Sequence, residues 1–198
     1  MAPCVRMPGM TSETSLQTPE AIEARIWQEL SRASRDKHHE WRTPVLATVN
    51  EQLLPSARTV VLRRVDIQSK RLHFYTDRRS PKCAELARQP KAMLLCWSKR
   101  LGWQLRMSIE VAIHSDGAEI DRLWEQISQS PAAADYLSAS APGGWIDAES
   151  LRSKALTEGK HFFAKLEATV IDIDWLSLDR QGHRRALIAS GGWTWRVP

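Results

Sequence analysis

The stretch RTVVLRR, Arg58 to Arg64, decides the fold together with LHFYTDRRSPKCAELARQP, Leu72 to Pro90. The first run has the apolar density of a buried strand, with Val60, Val61 and Leu62 in succession, yet arginines stand at both ends. Alternation along a strand puts Arg58, Val60, Leu62 and Arg64 on one face and Thr59, Val61, Arg63 and Val65 on the other. An arginine buried on either face needs an anion, because an unpaired charge removed from water is strongly destabilising. In the second run, Leu72–Thr76 reads as a strand pairing with the first, and Ser80-Pro81 reads as the N-cap and first residue of a helix ending before Pro90. Lys82 in that first turn opposes the helix dipole by roughly 0.3–1 kcal/mol unless an anion sits there. Arg58 and Lys82 together are therefore expected to form a phosphate cradle.

Working outward, Thr18-Pro19-Glu20 starts a helix that places Ile22, Ile26, Trp27 and Leu30 on one face, running to about Arg35. Residues 44–50 (PVLATVN) and 91–97 (KAMLLCW) read as strands, the latter central. From Trp103 the alternation is clean: Trp103, Leu105, Met107, Ile109 and Val111 face one way, with Gln104, Arg106, Ser108 and Glu110 facing the other. Asp116 and Glu119 form a D-x-x-E capping pair ahead of a helix carrying Ile120, Leu123, Trp124 and Ile127 on one side, followed by a short helix and a loop. Phe162–Leu176, Arg184–Ser190 and WTWRVP (193–198) read as strands, with Gly191-Gly192 as the last hairpin turn. About seven strands joined mostly by tight turns, with helices inserted and no regular βαβ alternation, predict a mainly β (α+β) fold: an antiparallel barrel with peripheral helices.

A chain of 198 residues with a net charge of +5 suits one domain with a weak preference for anionic partners. Residues 1–17 read as a flexible arm and 18–198 as a single domain. The N-terminus lacks an apolar signal core, and no run of apolar residues is long enough to span a membrane. Cys4, Cys83 and Cys96 share no metal-ligand spacing and cannot all pair, which points to a reducing cytoplasm. No metal site, P-loop, dinucleotide fingerprint or serine-hydrolase elbow is present in the sequence.

RTVVLR (58–63), FYT (74–76), SPK (80–82) and WQLR (103–106) together resemble the pyridoxamine 5′-phosphate oxidase family, FMN enzymes on a split β-barrel. Trp175, His183, Arg185 and the WTWRVP ending continue the likeness to Pro198. The resemblance implies FMN as cofactor, with Arg58, Ser80 and Lys82 at its phosphate. It places Val60, Val61, Leu62 and Arg63 along the cofactor strand, and Tyr75 and Thr76 beside the flavin and ribityl chain. It implies a homodimer with FMN at the subunit interface, where Gln104, Trp175 and Arg185 reach the ring from the neighbouring subunit. Ser140, in the loop after the small helix, stands for a polar flavin contact. Arg63 and His183 are the residues expected to face a small-molecule substrate.

The departures from the family pattern concern the substrate more than the cofactor. The family's Ser-Arg-Lys helix start is Ser80-Pro81-Lys82, so one phosphate-binding arginine is missing, and Arg78 or Arg79 is the expected substitute. The segment that binds the vitamin's phosphate reads EQISQSPAAADYL (125–137), with no basic residue, and Gln181 replaces an arginine two positions before His183. A pocket without cations on that side disfavours a phosphorylated substrate. The expected function is a two-electron, FMN-dependent oxidation of a small substrate. The alternative is an FMN-binding electron carrier or sensor without turnover. A nucleic-acid binder, invited by nine tryptophans and positive charge, ranks third, because Trp97, Trp103 and Trp124 read as core-facing. Neither nucleic acid nor membrane is expected as a partner.

Overall fold

A computed structural model describes residues 18–146, 156–157, 161–180 and 182–198; the expected arm at 1–17, Cys4 and Gln181 lie outside them. Helix α1 (Pro19–Ala33) starts as its sequence requires, with the Thr18 side chain accepting from the Ala21 N–H and Pro19 at the first position. Among the described residues nine strands follow: β1 (Val45–Val49), β2 (Pro55–Thr59), β3 (Leu62–Asp66), β4 (Arg71–Asp77), β5 (Lys91–Ser98), β6 (Trp103–His114), β7 (Phe163–Ser177), β8 (Arg184–Ala189) and β9 (Gly192–Arg196). Among the described residues three further α-helices interrupt them: α2 (Pro81–Arg88), α3 (Ala118–Ser128) and the single turn α4 (Ala134–Leu137).

The pairings are all antiparallel, in the order β2-β1-β5-β6-β7-β4-β3. The two ends of that path, β2 and β3, are consecutive in the chain and separated only by Val60 and Val61. A sheet whose outer strands are one polypeptide segment has to curl back on itself. The expected single strand from Arg58 to Val65 is therefore broken at Val60-Val61, where the chain leaves one ladder and joins another; the Val60 N–H bonds the Pro44 carbonyl at 3.0 Å. The register slips once more between Leu62 and Arg64, leaving Arg63 in a bulge opposite β4.

Strand β7 creates the split. One edge pairs with β6 along nearly its whole length; the other pairs with β4 over Phe163–Thr169 and with β8 over Asp172–Ser177. Between the two lies Ile171, unopposed where the β6–β7 register shifts. Strands β8 and β9 form a hairpin hanging on the second half of β7.

The alternation in β6 holds, with Trp103, Leu105, Met107, Ile109 and Val111 all buried. They join Leu46, Leu62, Phe74, Leu94, Leu166 and Trp175 in one core, which α1 covers with Ile22, Ile26, Trp27 and Leu30. Each such side chain contributes roughly 1.5–3 kcal/mol by leaving water. Glu29, on the same helix and 0% exposed, gathers Arg25, Arg32, Arg100 and His39 around its carboxylate. A second apolar cluster joins α3 to Tyr136 and Phe163. The D-x-x-E capping pair does not form: α3 starts one residue later than it requires, with Gly117 at the N-cap, and Glu119 instead binds Lys165 at 2.7 Å. Trp97, expected in the core, points outward from β5 at 46% exposure because its neighbours Cys96 and Ser98 occupy the inward positions.

Candidate functional site

Arg58 shares the inward face of the sheet with its register partner Leu46 and reaches α2 from there. Its guanidinium donates to Ser56 Oγ at 2.6 Å, to Glu85 Oε2 at 2.7 Å and to the Thr48 hydroxyl. Glu85 is 8% exposed and lies one helical turn after Lys82. Burial acts to raise the Glu85 pKa, but the Thr48 hydroxyl and Arg58 outweigh it and hold the carboxyl below its ordinary value.

Lys82 Nζ donates to Thr76 Oγ1 and Ser80 Oγ, each at 2.9 Å. No carboxylate among the described residues lies within ion-pair distance of it. Burial pulls the Lys82 pKa below its usual value; Cys83 opposes this, and the positive field of Arg58 adds to it. Ser80 does occupy the N-cap, yet its hydroxyl makes no cap bond because Lys82 and Thr76 occupy it. Thr76, Ser80 and Lys82 thus converge on the first turn of α2, and Arg58 joins the helix one turn on, at Glu85. Glu85 neutralises one of the two cations and leaves the other without an acid among the described residues, which suits a phosphate.

Arg63, held in its bulge, projects over Tyr75 with its guanidinium carbon 5.6 Å from the ring centroid. Its Nε is buried with no hydrogen-bond partner among the described residues. Burial pushes the Tyr75 and Tyr136 hydroxyls above their usual pKa, and Arg63 opposes the shift at both. Both rings pack edge-on against Phe163, at 5.1 and 5.2 Å. The side chains of Val60 and Leu62 belong to the core, so only their backbone atoms are open to a ligand; Val61 is half-buried.

The remaining expected residues stand elsewhere. Gln104 is on the outward face of β6, between Trp97 and Leu176, and Arg185 continues the same row on β8. Trp175 does not join them. It is 0% exposed, on the inward alternation of β7 with Ile173, and packs edge-on against Trp103 at 5.3 Å, so it is a core residue in this chain. Arg185 grips Asp174 with two bonds, at 2.9 and 2.7 Å, and Arg106 takes the same carboxylate. His183 is exposed, its Nδ1 accepting from the Asp179 N–H at 3.3 Å, and lies apart from the cradle. Ser140 is exposed, and its carbonyl accepts from Ser138 Oγ at 3.1 Å.

The upstream arginines make contacts of their own. Arg79 is committed to Asp77 through both carboxylate oxygens and to the carbonyls of Ser138 and Ala139. Arg78 is exposed and lies over Phe162 at 5.7 Å. Sequence reasoning missed Thr48, Glu85, Arg106 and Asp174. Only Arg106 carried a signal, as an outward-facing cation two residues from Gln104.

Residues 24–115 match the FMN-binding domain of pyridoxamine 5′-phosphate oxidase. Two curated relatives are named pyridoxine/pyridoxamine 5′-phosphate oxidase. That of Thermosynechococcus vestitus is 31% identical over 150 residues, 76% of this chain and 61% of the relative. That of Chromohalobacter salexigens is 35% identical over 106 residues, 54% of this chain and 44% of the relative. The chain thus spans about half the length of the curated relatives it matches. Among solved structures, a pyridoxamine 5′-phosphate oxidase-related, FMN-binding protein from Nostoc punctiforme superposes with a TM-score of 0.68 at 23% identity, covering 91% of this chain and 98% of the other. PhzG from Burkholderia lata gives 0.70 at 20% identity, covering 96% and 98%. Residues 24–115 thus carry the FMN-binding domain of the pyridoxamine 5′-phosphate oxidase-like family, on a split-barrel fold whose cofactor is FMN.

Proposed function

We propose that this protein is an FMN-dependent oxidoreductase that oxidises a small, unphosphorylated substrate and works as a homodimer. The observation that carries the reading is Lys82: a half-buried ammonium held by two hydroxyls, with Arg58 nearby and no acid of its own among the described residues. In this reading Lys82, Thr76 and Ser80 bind the FMN phosphate directly, and Arg58 stiffens the cradle through Glu85. When bound, FMN supplies the two-electron acceptor. Tyr75 lines the ring and Arg63, with Tyr136 beside it, orients an anionic group of the substrate. With no basic residue in Glu125–Leu137, that side has no clamp for a phosphate dianion, and a vitamer phosphate is a poor fit.

Two copies are invoked for a geometric reason. Arg58 faces inward, whereas Gln104 and Arg185 occupy the outward face, so one chain cannot bring all three to one ligand. The outward face also carries Val49, Met93 and Trp97, 37–46% exposed, which a partner copy would cover. A sedimenting mass of one chain would refute the dimer. The free, buried thiols of Cys83 and Cys96 support a reducing compartment.

The test begins with the absorption spectrum of purified protein and the identity of the chromophore released by heat. Lys82→Ala, alone and with Arg58→Ala, should weaken FMN binding by at least about tenfold, the scale of one charge-assisted hydrogen bond. Unchanged affinity in the double variant refutes the cradle. Bleaching of the bound flavin by an amine or alcohol under anaerobic conditions identifies turnover.

A further inference from the structure

We infer that Arg79 is a positioning residue that latches the loop from Ser138 to Gly144 against the phosphate end of the FMN site and slows release of the cofactor. The inference rests on the FMN reading above.

Arg79 stands directly before the N-cap of α2. Its Nε and Nη2 fork onto Asp77, which is buried, so the guanidinium is fixed in plane. The free sides of the fork point across to the loop: Nη2 donates to Ser138 O at 2.8 Å and Nη1 to Ala139 O at 3.2 Å. Ser140 O is at the edge of reach, 3.5 Å from Nη2. The guanidinium carbon also lies 3.3 Å over the Phe162 ring, at the entry to β7. One cation therefore ties together the end of β4, the start of β7 and the loop.

Further along, the loop turns at Ala141–Gly144, where the Gly144 N–H bonds Ala141 O at 3.1 Å. That turn abuts Pro81, the first residue of α2 and the neighbour of Lys82. A Cβ on Gly143 would stand 3.1 Å from Pro81 Cγ, and Gly143 has φ +81°. The proline standing where the family pattern has a phosphate-binding arginine is thus the floor on which the loop rests. The chain has exchanged a direct cation for a mechanical cover, with Arg79 as its fastener.

The experiment follows fluorescence recovery as FMN leaves the holoprotein on dilution, for wild type, Arg79→Lys, Gly143→Ala and the double variant, with melting temperatures beside it. Gly143→Ala leaves the Arg79–Asp77 pair intact, so it dislodges the loop without stripping a buried acid of its counter-ion. Lysine keeps the charge of Arg79 but not its fork. Each single variant should release FMN at least about tenfold faster, with melting of the apoprotein little changed. The double variant should be no faster than the quicker single one, because both free the same loop. Release at the wild-type rate in both single variants overturns the latch while leaving the cradle standing. So do additive effects that track a falling melting temperature, the mark of general loosening. Wild-type protein that takes up no FMN overturns the cradle and the latch with it.

Discussion

Replacing Asp174 by asparagine tests how the outward face is held. Asp174 accepts two bonds from Arg185 and one from Arg106, and its shape-matched amide would keep the volume but lose the charge. The hydrogen bond from Arg185 comes first, burial opposes it, and Arg106 adds to it; the carboxyl is held at about 2, against an ordinary 3.8. At about 1.4 kcal/mol per tenfold change in proton affinity, that difference corresponds to about 2.5 kcal/mol. The Arg106 side chain is 39% exposed, so solvent screens part of it. About 1–2 kcal/mol is the expected loss at pH 7. The folded pKa is depressed, so the stabilisation is present above pH 4 and disappears as pH falls from 4 towards 2. Urea unfolding of both proteins, at one protein concentration, should give a deficit at pH 7 that is roughly halved at pH 3. A deficit equal at both pH values, or none at pH 7, refutes the assignment of this stability to the ion triad.

Two other substitutions probe the scaffold. Glu29→Gln leaves three arginines and His39 without their shared acid; because Arg25, Arg32 and Arg100 are 38–56% exposed and can hydrate, the cost should fall near or below the low end of the range for broken buried pairs, about 2–3 kcal/mol, read by denaturant midpoint. Gly102→Ala puts a Cβ 2.8 Å from Leu178 O at φ +63°, where backbone would have to move; a loss above about 2 kcal/mol is expected, and a neutral result would show that the β5–β6 turn relaxes freely.

The elements with strong local grammar were legible in the sequence. Trp103–Val111 alternates without a break, and Thr18-Pro19 and Ser80-Pro81 open helices; the last hairpin turns at Ser190-Gly191, one residue before the expected glycine pair, with Gly192 already paired to Ala189. Residues that owe their role to distant partners were not legible. Glu85 meets Arg58 across 27 positions and Asp174 meets Arg106 across 68, and no spacing rule spans such gaps. The break at Val60-Val61 was hidden because barrel closure, not residue preference, demands it. Trp175 and Trp97 were each assigned to the wrong side. Tryptophan suits a core and an interface equally, and only the register of β5 and β7 decides. At α3, Gly117 with φ +92° takes the position at which an acid was expected to cap.

The opposed facing of Arg58 and Arg185 on one sheet has a genetic corollary. If each cofactor draws on both molecules of a pair, a lesion in either residue cripples both sites of a pure population. Chains carrying different lesions, co-expressed, would assemble pairs in which one site inherits both faults and the other none. About a quarter of all sites would then regain flavin from two parents that separately hold little, the statistical signature of an isologous pair.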